Sequence, residues 1–437
     1  MSQKKLELSN LRNEMIKFYI EAHNMWPDMR FSYNLTIEDW TFLHTAVDQS
    51  DEELVDYLLQ KKADPNINVK IYGTPLHLAI KKGSLEIIQL LLKNGADMNL
   101  RGDISDNLTA IEYAVQLDNF EAYAILASSE ASKKKLMELE PSLMCIALKH
   151  NSKKIVEAYL NENVDVNYRS KDYGSYLHCA VHGGNPETIE RLLDYGAEIN
   201  YSCNYNNGTG LWDSCDLTAL QIGVIFNKSG IVKLLTKRHA NVNLKADNDT
   251  AALGLAISMT CHDDVINDLL NAGADIDDVD LSKYVGRDSI KKLIEKHAVK
   301  LDVAQLGVSE KYAKAIASDL TFRSECKKEI EIMKDTRVGD SNVKFYDLLR
   351  KNIHQLALYA KYGVVKLEVL EQQSVEQFAL YAGILCSRFW KGVERKNLID
   401  GVEEFVYDVF YVLPNTVVRN LFYYLEDRDL DILKNNL

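Results

Sequence analysis

The feature that most constrains the fold is a unit of about 33 residues that occurs seven times along the chain. A small residue holds the same position in every unit, and successive positions lie 33, 35, 33, 33, 43 and 33 residues apart. These frame residues are Ala46, Ala79, Ala114, Ala147, Ala180, Gly223 and Ala256. A period near 33 is typical of arrays whose units must stack on their neighbours to bury their apolar faces. The sequence therefore predicts a solenoid, which binds partners more often than it catalyses reactions.

Each unit is predicted to form two short helices. In the second unit Pro75 suits a first helical turn, because its missing N–H costs nothing there. Leu76, Ala79 and Ile80 then form one apolar face. Four residues after the frame residue comes a turn position that favours a left-handed backbone. In six units this position holds Ser50, Gly83, Asp118, Asn151, Asn227 and Thr260; in the fifth unit we place the turn at Gly183, three residues after Ala180. Paired apolar residues after the turn indicate a second helix lying along the first.

Composition and charge exclude several classes of protein. The 437 residues are 46% hydrophobic and 26% charged, which is typical of a folded chain. The net charge of -13 argues against a nucleic-acid partner, because duplex recognition needs a basic stripe. The polar start and the lack of long apolar runs predict a cytoplasmic protein that does not enter membranes. Seven scattered cysteines indicate a reducing compartment, and Cys203 and Cys215 are the pair to test for a disulfide.

We find no residue constellation for catalysis or for metal binding. His178 and His182 have a spacing that metals accept, but no third ligand accompanies them. The acidic segment 275–280 does not fit a calcium loop, because Lys283 stands where glycine is needed. We therefore expect a protein that is not an enzyme and that needs no cofactor.

The segment Thr74-Pro75-Leu76-His77 resembles the signature of the ankyrin repeat, and parts of it recur around His44 and His178. The resemblance implies an all-α ankyrin-repeat solenoid over residues 38–300, with about seven units and a degenerate cap. Residues 1–37 would form an N-terminal helical cap. The ankyrin resemblance also implies that His44, His77 and His178 are structural, with hydrogen bonds within one repeat and to the next. The other four units lack this histidine, so we expect their loops to be less regular.

Beyond residue 300 the period is lost, and residues 301–437 are predicted to form a helical domain with its own core. Helices are expected around 343–360, 366–391 and 396–411. Leu413-Pro414, the spaced aliphatic residues after them, and Tyr424-Leu425 followed by Asp429-Leu430 look like the start of an F-box over 412–437. The surrounding tail, with the segment Cys326–Met333, is similar to the PRANC domain. That domain closes ankyrin proteins of poxviruses, and also of some parasitoid wasps and intracellular bacteria.

This second resemblance implies a substrate adaptor of the host-range, immune-modulating kind. The repeats would hold a host protein of innate-immune or cell-death signalling in the host cytoplasm. The F-box-like end would dock the host Skp adaptor of a cullin–RING (SCF) ubiquitin ligase. Docking would be of the helix-in-groove kind. The residues expected to supply its apolar ridge are Leu413, Pro414, Val417, Val418, Leu421, Leu425 and Leu430.

The ten extra residues of the 43-residue step lie in the segment 200–216. Tyr201, Tyr205 and Trp212 stand there among Asn and Gly, and aromatic residues on a loop are typical anchors for a partner protein. We regard this segment as a candidate target-binding loop; the alternative is an insertion whose aromatic residues fold back on the stack. For the whole chain the alternative function is a stoichiometric inhibitor of the NF-κB pathway type, which would mask a signalling protein without ubiquitination.

Overall fold

The computed structural model describes residues 14, 30–31, 40–104, 107–128, 142–161, 165–170, 173–204, 216–247, 249–279, 288–409 and 421–435. Their contacts divide the chain into two compact units, one ending at Glu198 and the other beginning at Ile199. This division falls inside the range predicted for the repeats. The predicted boundary after residue 300 lies within a helix, Asp288–Val303. No boundary between compact units coincides with the predicted domain limits, so these limits stay a prediction.

The first unit consists of helix pairs joined by tight turns. Within it the first helices of the first three repeats contact one another in order, and so do their second helices. Among the described residues of this unit, two short antiparallel strand pairs each precede the first helix of a repeat, β1 (Arg30–Phe31) with β2 (Trp40–Thr41) and β3 (Arg169–Ser170) with β4 (Gly174–Ser175). The helices are α1 (Phe42–Asp48), α2 (Glu52–Gln60), α3 (Pro75–Lys82), α4 (Leu85–Lys93), α5 (Ala110–Gln116), α6 (Phe120–Ser128), α7 (142–150), α8 (Lys153–Leu160), α9 (Tyr176–Gly183) and α10 (Pro186–Asp194).

The second unit holds the sixth and seventh repeats together with the tail. Its strands β5 (Ser202–Asn204) and β6 (Asp216–Thr218) pair antiparallel. A 3₁₀ turn covers Glu310–Tyr312. The helices are α11 (Ala219–Ile225), α12 (Ser229–Lys237), α13 (Ala252–Ser258), α14 (Asp263–Asn271), α15 (Asp288–Val303), α16 (Ala313–Ser318), α17 (Leu320–Asp335), α18 (Phe345–Arg350), α19 (Ile353–Lys361), α20 (Leu367–Gln377), α21 (Ala382–Val409), α22 (421–424) and α23 (Asp427–Asn435).

The turn that ends the first helix of each repeat adopts a left-handed backbone. Six of the seven residues at the predicted position have φ between +51° and +71°. In the fifth repeat α9 continues through Gly183, and the left-handed residue is Gly184, four residues after Ala180, with φ +85°. Gly183 is needed for another reason: a Cβ there would lie 2.0 Å from the Leu148 carbonyl oxygen. The spacing of four residues therefore holds in all seven units, and only the placement of the fifth turn at Gly183 was wrong, by one residue.

Asparagine side chains tie consecutive repeats together. Asn66 donates from Nδ2 to the Gly95 carbonyl at 3.0 Å, and its Oδ1 accepts from the Asp97 amide at 2.8 Å. Asn167 makes the same pair of bonds to the turn that begins at Gly196. Asn243 does so at Gly273. Each of these asparagines thus satisfies backbone groups of the following turn that would otherwise lack partners.

The tail has two apolar clusters of its own. The larger one is centred on Phe345, Phe378, Tyr381 and Phe389, none of them more than 1% exposed. The smaller one joins α21 to the end of the chain through Ile399, Val402, Val406, Phe422 and Leu430. The prediction of two helices over 366–391 and 396–411 placed the break between them at the wrong position. The break lies at Phe378–Tyr381, and α21 continues without interruption for 28 residues.

Candidate protein-binding surfaces

The three repeat histidines are fully buried and hydrogen-bonded. In the second repeat, His77 Nε2 lies 2.9 Å from the Leu108 carbonyl oxygen and Nδ1 lies 2.8 Å from Thr74 Oγ1. A carbonyl oxygen only accepts, so Nε2 carries the proton and Nδ1 accepts from the Thr74 hydroxyl. His44 has the same pattern with Thr41 and the Gly73 carbonyl oxygen. Burial lowers the pKa of His77, which keeps the ring neutral at pH 7.

Other residues replace the histidine in two of the four units that lack it. Glu112 accepts from the Thr109 amide at 2.8 Å. Gln221 accepts from the Thr218 amide at 2.8 Å and donates from Nε2 to the Leu244 carbonyl at 2.9 Å. The expectation of less regular loops stays a prediction for these two units, because parts of their loops (105–106, 205–215 and 248) fall outside the described residues. The spacing Thr-x-x-Glu/Gln is a capping box, and this signal in the sequence would have predicted both bonds.

Only the base of the candidate target-binding loop lies among the described residues. β5 and β6 close it as a two-stranded ladder in which Cys203 stands opposite Leu217. Tyr201 is half-buried at the start of the ladder. Tyr205, Trp212 and Cys215 fall outside the described residues, so target binding at this loop and the pairing of Cys203 with Cys215 both stay predictions.

The predicted ligase-docking residues are only partly described. Leu413, Pro414, Val417 and Val418 fall outside the described residues. Leu421 and Leu425 are half-buried, and Leu425 packs against the smaller apolar cluster of the tail. Leu430 is 0% exposed within that cluster. It faces the core of its own chain, so the assignment of Leu430 to a docking ridge is withdrawn.

A buried arginine fixes the C-terminal segment against α21. Arg395 is 6% exposed. Its Nη2 donates to the carbonyl oxygens of Phe422, at 2.7 Å, and of Leu425, at 2.5 Å, while Nη1 binds the Asp427 carboxylate. The guanidinium thus satisfies carbonyl groups at the end of α22 and meets the negative end of the helix dipole. The position of residues 421–427 is set by this contact.

The same segment presents two tyrosines to solvent, which we call the C-terminal tyrosine pair. Tyr424 is 80% exposed and Tyr423 is 50% exposed. Their rings meet edge to face with centroids 5.4 Å apart. Tyr423 also contacts His354, and its hydroxyl accepts from Asn352 Nδ2 at 3.4 Å. Exposed aromatic rings held in one place are typical anchors of protein interfaces. The sequence analysis named Tyr424 within the F-box resemblance but did not single out the pair.

Within the second unit, the tail is joined to the sixth and seventh repeats. The Trp390 ring of α21 stacks on His239 with centroids 3.9 Å apart, and burial lowers the pKa of His239 to about 4. Ser387 donates to the Ala272 carbonyl oxygen at 2.7 Å. Tyr312 donates to the Ile276 carbonyl oxygen, also at 2.7 Å. These side chains from the tail satisfy carbonyl groups in the turn that ends the seventh repeat. The repeats and the tail therefore share one packed interface within this unit.

Metal ligands and membrane spans were searched over the described ranges. There, no group of three or more His, Cys, Asp or Glu residues is placed to hold a metal ion. Over the same ranges, no helix is both long enough and apolar enough to cross a bilayer.

Two family models match the chain. Ankyrin repeats (3 copies) match residues 43–137 and 113–203, and ankyrin repeats (many copies) match 177–236. These matches and the helix pairs confirm the predicted fold class, an all-α ankyrin solenoid. Ankyrin repeats are protein-interaction scaffolds, and neither match indicates a catalytic family.

The chain is similar to the putative ankyrin repeat protein FPV031 of Fowlpox virus (strain NVSL). The two are 27% identical over 308 residues, which cover 66% of this chain and 80% of the viral protein. It is also 28% identical over 136 residues to alpha-latrotoxin-Lg1a of Latrodectus geometricus, covering 30% of this chain but 9% of the toxin. Among solved structures, the human ASB11 ankyrin repeat domain is 20% identical, with a TM-score of 0.38; the match covers 53% of this chain and 97% of that one. The ankyrin repeat domain of Bcl-3, described as a unique member of the IkappaB protein family, is 22% identical with a TM-score of 0.38, covering 53% and 98%.

Proposed function

We propose that this ankyrin-repeat protein is a substrate adaptor that brings a host protein to a Skp/cullin–RING ubiquitin ligase. The repeats bind the target, and the C-terminal end docks the Skp adaptor. The similarity to a fowlpox ankyrin repeat protein supports a host protein as the target. The chain supplies no catalytic step itself, because transfer of ubiquitin follows from the proximity of target and ligase.

The observation that carries the proposal is the way in which the C-terminal segment is held. Arg395 binds two carbonyl oxygens and a carboxylate of residues 422–427, while Tyr423 and Tyr424 remain in solvent. A segment that served only to close the tail core would turn its largest apolar side chains inward. Here Phe422 and Leu430 do this, and the tyrosine pair does not. An aromatic surface fixed in this manner loses little conformational entropy when a partner covers it.

The contacts within the second unit support the second half of the proposal. The Trp390–His239 stack and the Ser387 and Tyr312 hydrogen bonds connect the tail to repeats six and seven. A protein bound to those repeats would therefore be held at a fixed distance from the docking end. Fixed placement of a substrate beside a catalytic centre raises its effective concentration.

A binding assay with purified components tests the docking half. Full-length chain is immobilised and incubated with purified Skp adaptor, and the affinity is compared for wild type, Tyr424→Ala and the double variant Leu413→Ala/Pro414→Ala. We expect at least a roughly tenfold loss of affinity in both variants, because anchor residues of this kind contribute more than about 1.4 kcal/mol. Tyr195→Ala, at a tyrosine that is 54% exposed in the fifth repeat, is the matched control and should bind as wild type does. Unchanged affinity in both tail variants would contradict the assignment.

The stoichiometric inhibitor makes a different prediction in the same assay. It would bind its target without any interaction with the Skp adaptor, and wild-type chain would then show no binding in the assay above. The abundance of the target in cells separates the two functions, since only the adaptor lowers it.

A further inference from the structure

We infer that Ile71, at the turn between the first and second repeats, is an anchor for an acidic, apolar peptide segment of a partner protein. The inference rests on the proposed function in one respect: it names the surface on which the repeats bind a protein. It does not depend on the ligase. Four observations carry it: the backbone conformation of Ile71, the residues in matched turns, the rigidity of the turn, and the charges around it.

The backbone of Ile71 is unfavourable for its residue type. The turn is closed by two hydrogen bonds between Val69 and Gly73, at 2.9 Å and 2.7 Å. Ile71 lies at its centre with φ +72°. A left-handed backbone brings Cβ close to the neighbouring carbonyl group, and a β-branched residue there is a true outlier. Such strain is typical of functional positions when the surrounding structure holds it in place.

Two other turns in the chain show what this position requires for folding. Bridges pair Arg101 with Thr109, and Lys245 with Ala251. Ile71 lies two positions before Gly73, and the corresponding residues of these two turns are Asn107 and Asp249. Both have a left-handed backbone. Asn and Asp tolerate this conformation far better than isoleucine does. The turn itself therefore gives no reason for isoleucine at position 71.

Burial gives no reason either. Ile71 is 68% exposed, so its side chain contributes little to the core of the repeats. Its amide donates to the Asp103 carbonyl oxygen at 2.6 Å, and the Asp103 amide donates to Asn68 Oδ1 at 2.9 Å. The following repeat thus holds the turn with the isoleucine pointing to water. A preorganised apolar side chain of this kind is suited to bind a partner at low entropic cost.

The charges around the turn indicate the chemistry of the partner. Lys70 precedes Ile71 and is exposed. Lys81 Nζ lies 5.6 Å from the centre of the Tyr72 ring, and this ring packs edge-on against Trp40 at 4.8 Å. The acidic neighbour is Asp103, which is also exposed. Two lysines therefore lie beside residues of this turn, Lys70 next to Ile71 and Lys81 over Tyr72, in a chain whose net charge is -13. Electrostatic complementarity favours a segment with carboxylates beside apolar side chains.

Thermal unfolding tests the strain. Ile71→Asn places at this turn the residue type that the third repeat uses at the corresponding position. We expect its unfolding midpoint to rise by about 2–5 °C, because the left-handed backbone is relieved and an exposed apolar side chain is removed. An unchanged or lower midpoint would overturn the claim that isoleucine is kept here against the needs of folding.

Peptide selection tests the binding. Random 12-residue peptides displayed on phage are selected on the full-length wild-type chain, and the affinities of enriched peptides are measured for each variant. We expect Asp or Glu beside Leu, Ile or Phe in these peptides. Ile71→Asn should lower their affinity tenfold or more, whereas Ile71→Val should bind them about as tightly as wild type does. Exchange of both lysines, Lys70→Glu/Lys81→Glu, should weaken binding by a similar factor.

The control variant is Met259→Asn, at a 37% exposed residue of the other unit, which should bind the peptides as wild type does. Peptides that bind Ile71→Asn as tightly as wild type would overturn the proposal, and so would peptides without acidic residues. Ile71→Asn should bind purified Skp adaptor with unchanged affinity. Failure of wild-type chain to bind the Skp adaptor would refute the ligase function and leave the result at Ile71 standing.

Discussion

At the scale of single residues, the repeats conserve hydrogen-bonding capacity at one buried position by different means. His77 joins Thr74 to the Leu108 carbonyl oxygen, and Gln221 joins Thr218 to the Leu244 carbonyl oxygen. Both side chains accept near their own helix start and donate to the following loop. A buried carbonyl group without a donor would lose the free energy of its hydration, so the donor matters more than the ring.

Removal of this donor should destabilise the second repeat. We expect His77→Ala to lower the free energy of unfolding by about 2–4 kcal/mol, because the Leu108 carbonyl loses its partner and a cavity forms. His77→Gln should recover at least half of the lost free energy of unfolding, since Gln221 makes the equivalent hydrogen bonds in the sixth repeat. Denaturant titration of the three proteins measures both values. Equal stability of the alanine and glutamine variants would refute the role assigned to the histidine.

At the scale of elements, α21 connects every part of the second unit that carries the proposed function. It contacts α14 of the seventh repeat, α19 and α20 of the tail, and α23 at the end of the chain. Its close approach to α19 requires Gly392, where a Cβ would lie 2.6 Å from Leu356 Cβ and 2.8 Å from the Leu356 carbonyl carbon. Glycine in the middle of a helix is normally unfavourable, so here packing outweighs helix propensity.

Two of the three glycines of α21, Gly392 and Gly401, should respond in opposite ways to alanine. Gly392→Ala should lower the free energy of unfolding by about 1–3 kcal/mol through overpacking against backbone atoms. Gly401→Ala should leave it unchanged or raise it by up to about 1 kcal/mol. At Gly401 a Cβ would meet only the flexible Lys434 side chain, at 3.3 Å. Calorimetry of both variants is the measurement, and a stabilising Gly392→Ala would contradict the packing described here.

A buried histidine on α15 should make the second unit sensitive to acid. His297 is 4% exposed, and burial, with a smaller effect of the Lys300 charge, lowers its pKa to about 4. The unfolded chain binds this proton near pH 6.5, so the stability contributed by the neutral ring is complete above pH 6.5 and is lost as the pH falls towards 4. The loss should reach about 3 kcal/mol.

The variant His297→Leu isolates this effect from the other titrating groups. Denaturant unfolding of both proteins between pH 7.5 and 4 should show a steeper loss of stability in wild type than in the variant. Parallel curves would show that His297 is not held neutral in the folded chain.

At the scale of the whole molecule, the sequence predicted those features that local backbone chemistry dictates. The frame alanines and the left-handed turn residues each serve a local requirement, so their pattern was sufficient for the fold class. The tail was harder, because packing decides its helices. Phe378 and Tyr381 interrupt a helical stretch in order to reach the core, and Gly392 permits a helix where a break was predicted.

The candidate surfaces were predictable only in part for the same reason. Arg395 is one arginine in a polar stretch, and its contacts with residues 422–427 depend on the approach of two distant segments. Leu430 fits an apolar ridge by its spacing, but α21 buries it. Ile71 was not foreseen, because β-branched residues are normally absent from left-handed positions.

The abundance of a bound target protein in cells tests the adaptor function most directly. Proteins captured by full-length chain are quantified in cells that express wild type, the Leu413→Ala/Pro414→Ala variant or the Tyr424→Ala variant, each with and without a proteasome inhibitor. The adaptor function predicts a protein that all three capture, that wild type alone depletes, and whose level the inhibitor restores. Captured proteins whose levels are the same under every condition would contradict it and would show that the chain masks its target.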